Sequence, residues 1–184
     1  MKQTRRIQED TATYLHPKEV EVYHELSRGG LVAFTEKLFI NEILKKFGGQ
    51  EHFSILDVGT GPGWIPVALA KARPQWKISA LDGSPFMLEK AKKFAGSKNV
   101  NVEWVLGKAE AIPLEGNRFD LIISHFAFSE FPDAGGTIQE MIRLLKPGGK
   151  ILVQDLARPQ LWLMQLLSFF SLFYYPFQPT ARRQ

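Results

Sequence analysis

The stretch Ser54-Ile55-Leu56-Asp57-Val58-Gly59-Thr60-Gly61-Pro62-Gly63-Trp64 decides the fold of this chain. A short apolar run ends in an acid, three glycines follow at alternate positions, and a helix-like sequence comes next. This order predicts a buried strand, a turn with bare backbone N–H groups, and a helix that begins at the turn. Because glycine has no Cβ, a ligand can approach this backbone closely. The corner therefore favours the anionic or polar end of a nucleotide-like ligand.

The bulk composition is that of one soluble globular domain. The chain has 184 residues, 45% hydrophobic and 23% charged, and is long enough to bury a full core. A net charge of +4 without a dense basic patch gives no reason to expect a nucleic-acid partner. The absence of cysteine excludes disulfides, thiolate metal sites and cysteine nucleophiles, and we predict no metal. The first residues lack the apolar core of a signal peptide, so we expect a cytoplasmic protein.

Four further apolar runs alternate with helical patterns along the chain. Each run is short, rich in β-branched or aromatic residues and bounded by Gly, Pro, Asn or Asp, which is typical of buried strands. Strands alternating with helices predict a doubly wound, Rossmann-like α/β domain with a mostly parallel sheet. The predicted strands are Lys77–Leu81, Val100–Leu106, Phe119–Ser124 and Lys150–Gln154, and the predicted helices are Trp64–Ala72, Phe86–Ala95 (with Ser84 as its N-cap) and Thr137–Leu145.

The first 50 residues carry helical patterns ahead of the first strand. Pro17–Ser27 and Leu31–Phe47 look helical and are interrupted by Arg28-Gly29-Gly30. Such helices either lie over the ligand site as a lid or cover one face of the sheet, and the sequence leaves both open. We therefore divide the chain into residues 1–50 (helical lid or cover), 51–160 (ligand-binding core) and 161–184 (apolar C-terminal helix and tail).

Two classes of cofactor bind at a corner of strand, glycine turn and helix. The dinucleotide fingerprint needs Gly-x-Gly-x-x-Gly, but Gly61-x-Gly63 is followed by Pro66 where that pattern needs its third glycine. This disfavours a nicotinamide cofactor. The second predicted strand leads into Asp82, about twenty residues beyond the turn, where an acid can accept both hydroxyls of a ribose.

Five motifs in order resemble those of class I S-adenosylmethionine-dependent methyltransferases. The first two are Leu56–Gly63 and Ala80–Leu88, and the others are Gly107–Leu114, Phe119–Ser124 and Leu145–Lys150. The resemblance covers residues 54 to 160 and is closest to the branch that includes ubiquinone and menaquinone biosynthesis methyltransferases. It implies S-adenosyl-L-methionine as cofactor and methyl transfer to a small, apolar acceptor, with a quinone-type precursor and a lipid as the candidates. A cofactor-binding module without catalysis is the alternative.

The resemblance also implies a role for individual residues. The glycine turn would cradle the methionine part, with Asp57 below it ordering the turn or reaching the cofactor ammonium through water, and Asp82 would hold the ribose. Ser124 would lie beside the methionyl group. The implied cofactor-binding set is Asp57, Gly59, Thr60, Gly61, Gly63, Asp82, Gly83, Met87, Lys108, Ala109, Glu110 and Ser124. Lys108 departs from the family, which usually has an acid here that accepts the adenine amino group; lysine has only donors.

The loop after the fourth predicted strand carries the candidate general bases. His125 titrates near neutral pH, and apolar neighbours could raise the pKa of Glu130. Either residue could take a proton from the acceptor if one must be removed. The aromatic residues Phe126, Phe128 and Phe131 indicate an apolar acceptor pocket, although packing accounts for them equally well.

The C-terminal stretch Leu161–Phe177 is strongly apolar. It falls short of the ~20 residues that a membrane-spanning helix needs, and Gln165, Ser168 and Pro176 interrupt it. A helix with so narrow a polar stripe needs a cover, and the candidates are its own sheet, a second copy, a lipid-like substrate and a membrane surface. The resemblance implies a sixth and a seventh strand after this helix, which this sequence does not contain, so we expect either a shortened version of the family or a fragment of a longer protein. We therefore expect a homo-oligomer or peripheral membrane contact through this helix.

Overall fold

The computed structural model describes residues 29–155, which form a five-stranded parallel sheet with helices on both faces. This confirms the predicted doubly wound, Rossmann-like α/β fold in a single domain. The elements in chain order are α1 (Gly30–Phe47), β1 (Ser54–Val58), α2 (Trp64–Ala72), β2 (Lys77–Asp82), α3 (Pro85–Lys98), β3 (Glu103–Leu106), β4 (Phe119–His125), a 3₁₀ turn (Phe128–Glu130), α4 (Ala134–Leu144) and β5 (Leu145–Gln154).

Strand order β3-β2-β1-β4-β5 places β1 at the centre of the sheet. The chain moves outward from β1 to β2 and β3, then returns to pair β4 with the other side of β1. The order therefore reverses between β1 and β4. In open α/β sheets ligands bind outside the carboxyl ends of the strands at such a reversal. The glycine turn follows β1 at that end.

The core has one hydrophobic cluster on each face of the sheet. The first cluster includes Phe39 and Ile43 of α1 with Leu69 of α2, and the second includes Met141 and Leu144 of α4. All five residues of β1 are buried, including the polar Ser54 and Asp57, as is typical of a strand covered on both faces. The C-terminal half of α1 thus covers the sheet.

The chain between β2 and β3 differs from the predicted boundaries. Helix α3 starts as predicted, with the Ser84 side chain accepting from the Met87 N–H, but it continues to Lys98 rather than Ala95. Asn99 then adopts a left-handed conformation, and the Val100 N–H donates to the Ala95 carbonyl. The prediction that the third strand starts at Val100 was wrong because that residue caps the helix; β3 begins at Glu103.

The predicted boundaries around α4 also differ, and Leu145, predicted as the last residue of the helix, is the first residue of β5. Helix α4 starts at Ala134, three residues before the prediction, because the Asp133 side chain caps it by accepting from the Gly136 N–H. Strand β5 starts at Leu145 rather than Lys150. Leu145 pairs with Phe119, and the intervening Pro–Gly residues form an irregularity before regular pairing with β4 resumes.

Two predicted segments lie outside the described residues: the helix Pro17–Ser27 and the apolar stretch Leu161–Phe177. The expected oligomer or membrane contact through the latter stays a prediction. No helix within residues 29–155 has the length and apolarity needed to cross a membrane.

Candidate functional site

Strand geometry brings three predicted site residues to one face of the sheet. Side chains alternate along a strand, and Ile55, Ala80 and Ile123 belong to the cluster on the α1 face. Two residues further along each strand are Asp57 on β1, Asp82 on β2 and His125 on β4. These residues therefore face the same side, at the carboxyl ends of three neighbouring strands. Alternation puts Ser124 on the opposite face, towards α4, where it is fully buried.

The glycine turn is tied to both neighbouring strand ends. The N–H groups of Gly59 and Thr60 donate to the Leu81 carbonyl at 2.9 and 3.0 Å. The Thr60 hydroxyl donates to Asp57 Oδ2 at 2.7 Å. Gly59 and Gly61 have φ angles of 76° and 53°, a region that favours glycine. Asp57 thus holds the turn through the Thr60 hydroxyl.

Asp82 points at the glycine turn. Its Oδ2 accepts from the Gly61 N–H at 2.7 Å, and its Oδ1 accepts from the Ser84 N–H at 2.8 Å. Each carboxylate oxygen can accept a further bond. The carboxylate thereby holds the turn and the start of α3 together and keeps acceptor capacity for a diol.

Gly63 has a packing role. It caps α2 with a φ of 80°, and a Cβ built there would lie 2.8 Å from the Ala91 Cβ and 2.9 Å from Trp104 Cη2. These contacts bring α2 close to α3 and β3. Gly63 does not line the cavity beside the turn.

A small cavity lies beside the glycine turn. Five of the predicted site residues line it, together with residues of α1 that the sequence analysis did not assign to the site. Val32 and Glu36 of α1 form one wall. The predicted residues in the lining are Asp57, Gly59, Thr60, Gly61 and His125. Sequence reasoning missed Glu36, although an acid on the same helical face as the core residues Phe39 and Ile43 was a readable signal.

Burial dominates the electrostatics of this cavity. It raises the pKa of Asp57 to about 7, against the opposing effect of the Thr60 hydroxyl, and the charge of Asp82 adds to the rise. Burial also raises the pKa of Glu36 to about 7, with a further contribution from Asp57. The pKa of Asp82 is raised by burial, although backbone N–H donors oppose the shift. A cation at this place would relieve the cost of ionising these carboxyl groups.

We expect Asp57→Asn to stabilise the ligand-free protein at pH 8, by about 1–3 kcal/mol in unfolding free energy. A raised carboxyl pKa contributes stability at low pH that is lost as the pH rises through about 7. Asparagine carries no charge and its oxygen can still accept from Thr60. Urea unfolding at pH 5.5 and pH 8 checks this prediction. An equal effect of the substitution at both pH values would contradict it.

His125 is buried at the end of β4 and is 9% exposed. Its ring lies 5.1 Å from the Phe39 ring. The expectation that His125 titrates near neutral pH was wrong, because burial lowers its pKa to about 4 and the imidazole is neutral at pH 7. Its Nε2 has no hydrogen-bond partner among residues 29–155, and the same is true of Ser124 Oγ and Gln154 Oε1. Gln154 pairs with His125 across β4 and β5. Buried polar atoms of this kind usually have a partner.

The loop after β4 separates the predicted aromatic residues. Phe126 lines the cavity, stacks on His125 at 4.1 Å and has a φ of 53°, which is unusual for a bulky residue. Phe128 and Phe131 instead pack against the core on the α4 face. Glu130 is exposed on the 3₁₀ turn, so the apolar surroundings expected for it are not present in the described part of the chain.

The remaining predicted cofactor residues lie around the ends of β2 and β3. A Cβ built at Gly83 would lie 3.9 Å from the Gly107 carbonyl oxygen, Met87 is buried on α3, and Ala109 is buried in the α4-face cluster. Lys108 is exposed, and Glu110 Oε1 accepts from the Asp133 N–H at 3.3 Å. None of these residues lines the small cavity.

Comparison with known proteins identifies relatives of this chain. A family model described as a methyltransferase domain matches residues 55–149. The demethylmenaquinone methyltransferase of Shouchella clausii is 35% identical over 136 residues, which are 73% of this chain and 58% of that protein. The chain therefore spans a little over half the length of the curated relatives that it matches.

Solved structures show the same architecture. A SAM-dependent methyltransferase from Aquifex aeolicus superposes with a TM-score of 0.65 and 27% identity, over 79% of this chain and 76% of that one. A Methanococcus maripaludis protein, assigned provisionally as an S-adenosyl-L-methionine-dependent methyltransferase, superposes with a TM-score of 0.69 and 30% identity, over 84% of this chain and 67% of that one.

Proposed function

Because this chain belongs to the class I S-adenosylmethionine-dependent methyltransferases, we propose that it transfers a methyl group to a small, apolar acceptor. The cofactor of the family is S-adenosyl-L-methionine. The observation that carries the proposal is the pairing of a glycine turn with Asp82, whose carboxylate accepts from the Gly61 N–H at 2.7 Å. An acceptor group for a ribose thus lies directly against a turn that can receive an amino-acid tail.

The residues at the turn suit the chemical groups of this cofactor. The N-terminus of α2 offers N–H groups to a carboxylate, and Asp57 offers negative charge to a cation. Asp82 offers two oxygens to a diol. Adenine would lie towards Gly83, Met87, Ala109 and Glu110, with the exposed Lys108 unable to accept from its amino group. Residues in the N-terminal part of α1 line the cavity beside the turn, which supports the lid interpretation for that half of the helix.

The chain's main catalytic task is positioning. The sulfonium of the cofactor supplies a methyl group that is already activated, so the protein aligns the acceptor with it and excludes water. His125 is neutral at pH 7, which is the form that can accept a proton. Glu130 lies on the neighbouring turn and is the second candidate base.

A quinone-type or lipid-like acceptor is supported by two observations. Phe126 presents an aromatic ring beside His125 at the cavity. The curated relative named above methylates demethylmenaquinone, as its name states. We therefore propose an apolar ring or chain in the acceptor, bound against the loop that follows β4.

The direct test is formation of S-adenosylhomocysteine. The purified chain would be incubated with S-adenosylmethionine labelled in the methyl group and a panel of apolar acceptors that includes demethylated quinols. We expect one acceptor to gain the label in equal amount to the S-adenosylhomocysteine formed. Saturable cofactor binding without product from any acceptor would favour the alternative, a cofactor-binding module without catalysis.

We expect replacement of the catalytic base by alanine to lower kcat by roughly a hundredfold or more. His125→Ala and Glu130→Ala would be compared in single-turnover assays with the productive acceptor. His52→Ala and Glu115→Ala are matched controls, because both side chains are exposed and lie outside the cavity lining. Unchanged turnover in both test variants would exclude a base at these positions.

A further inference from the structure

Helix α1 brings a carboxyl group to the glycine turn from outside the five sequence motifs. Glu36 is partly buried and lines the same cavity as Asp57, Thr60 and Gly61. Its helix is fixed in place because Phe39 and Ile43, one and two turns further along, are buried in the core. The packing of the helix therefore places Glu36 beside the turn.

The cavity carries negative charge without a protein cation to balance it. Asp57 faces Glu36 from β1, Asp82 approaches from β2 through Gly61, and His125 from β4 is neutral above about pH 5. The cavity lining in the described part of the chain contains no lysine or arginine. On α2, which packs against α1, Lys71 is exposed in the last turn, at the far end from the cavity. A bound cation would stabilise the ionised forms of these two neighbouring acids, which have no counterion in the cavity lining.

An unpaired polar atom at the same cavity also points to a ligand. His125 is 9% exposed, lines the cavity, and its Nε2 has no partner in residues 29–155. A buried imidazole nitrogen without a partner is uncommon unless a ligand or water completes the site. The cavity measures about 30 Å³, which is about the space of one water molecule or one ammonium group.

We infer that Glu36, together with Asp57, binds the ammonium group of the cofactor's methionine portion, so that α1 is part of the cofactor site. The inference rests on the cofactor site proposed above and adds a residue to it. An ammonium group has three donors, which two carboxylates and the turn can accept. Both acids lie at the turn that receives the amino-acid tail of the cofactor. The inference therefore concerns binding of the cofactor and not binding of the methyl acceptor.

The inference gives cofactor binding a particular pH dependence. Burial raises the pKa of Glu36 and of Asp57 to about 7, so both are partly protonated in the free protein at neutral pH. An ammonium ion favours their charged forms, and binding therefore releases protons near pH 7. Affinity should rise between pH 6 and pH 8. Asp82, whose pKa is also raised, would affect every ligand that carries the ribose.

Calorimetry with three ligands tests the inference. S-adenosylmethionine carries the ammonium and the sulfonium, S-adenosylhomocysteine carries the ammonium alone, and 5′-methylthioadenosine carries neither. We expect Glu36→Gln to weaken both amino-acid ligands equally, by roughly tenfold to a hundredfold, and to leave 5′-methylthioadenosine unchanged. Titrations of the wild type in buffers of different ionisation enthalpy should detect proton release with S-adenosylhomocysteine and much less with 5′-methylthioadenosine.

Glu42→Gln is the matched control, because it removes a carboxyl group from the same helix at a position where Glu42 pairs with Lys46 away from the cavity. It should bind all three ligands like the wild type. Unchanged S-adenosylhomocysteine affinity in Glu36→Gln would overturn the inference, and equal weakening of all three ligands would assign Glu36 a structural role instead. Weakening of S-adenosylmethionine alone would place Glu36 at the sulfonium. A wild type that binds none of the three would refute the cofactor site itself.

Discussion

Replacing Asp82 with alanine will lower the affinity for S-adenosylhomocysteine at least a hundredfold. The carboxylate is the proposed acceptor for two ribose hydroxyls, and each hydrogen bond to a charged group contributes about 1.5–3 kcal/mol. The same substitution frees the Gly61 and Ser84 N–H groups, which Asp82 now holds at 2.7 and 2.8 Å. Isothermal titration calorimetry measures the loss, and circular dichroism establishes that the variant is folded.

Two further variants separate the role of Asp82 in binding the ribose from its role in holding the glycine turn. Asp82→Asn keeps one acceptor oxygen for the backbone and should retain more affinity than alanine while remaining well below the wild type. Asp120→Ala removes an acid at the opposite end of the sheet, where Asp120 bonds Ser54 and Lys146. It should lower stability without changing affinity. Wild-type affinity in Asp82→Ala would show that the ribose lies elsewhere.

Gly63→Ala is expected to destabilise the fold by about 2–4 kcal/mol, because it adds both backbone strain and a steric clash. The φ of 80° is unfavourable for any residue with a Cβ, and the new methyl would lie 2.8 Å from Ala91 Cβ and 2.9 Å from the Trp104 ring. Neither neighbour is the end of a flexible side chain. Urea unfolding followed by fluorescence measures the change.

Gly96 provides the matched control for this substitution. It lies within α3 without a positive φ, and a Cβ there meets nothing within 4 Å. Gly96→Ala should leave stability unchanged or raise it by about 0.4–1 kcal/mol. If the two variants had similar stability, the close approach of α2 to α3 and β3 at Gly63 would not contribute as argued.

The sequence predicted the order of the elements because each strand is an apolar run between residues that break regular structure. It predicted element ends less well because those depend on contacts made after folding. Asn99 adopts a left-handed conformation, and the Val100 N–H then caps α3. Val100 therefore lies outside β3, although its β-branched side chain favours a strand. The pairing of Leu145 with Phe119 extends β5 across the Pro147-Gly148 pair, which by itself reads as a loop.

The site residues that lie within the sequence motifs could be predicted. Those that reach the site from distant elements of the chain could not. Asp57, the turn and Asp82 follow from the spacing of two adjacent strands in the chain. Glu36 reaches the turn through the packing of α1 on the sheet, which no local pattern specifies. The φ of 53° at Phe126, a residue that seldom adopts this conformation, also comes from the fold and not from local propensity.

The most direct measurement is a calorimetric titration of the purified chain with S-adenosylhomocysteine, with NADH as the control ligand. We expect saturable binding at one site per chain for S-adenosylhomocysteine and no binding of NADH. The central claim is that the glycine turn and Asp82 together bind the nucleoside of the methyl donor. Absence of binding heat with S-adenosylhomocysteine, or comparable binding of NADH, would contradict it.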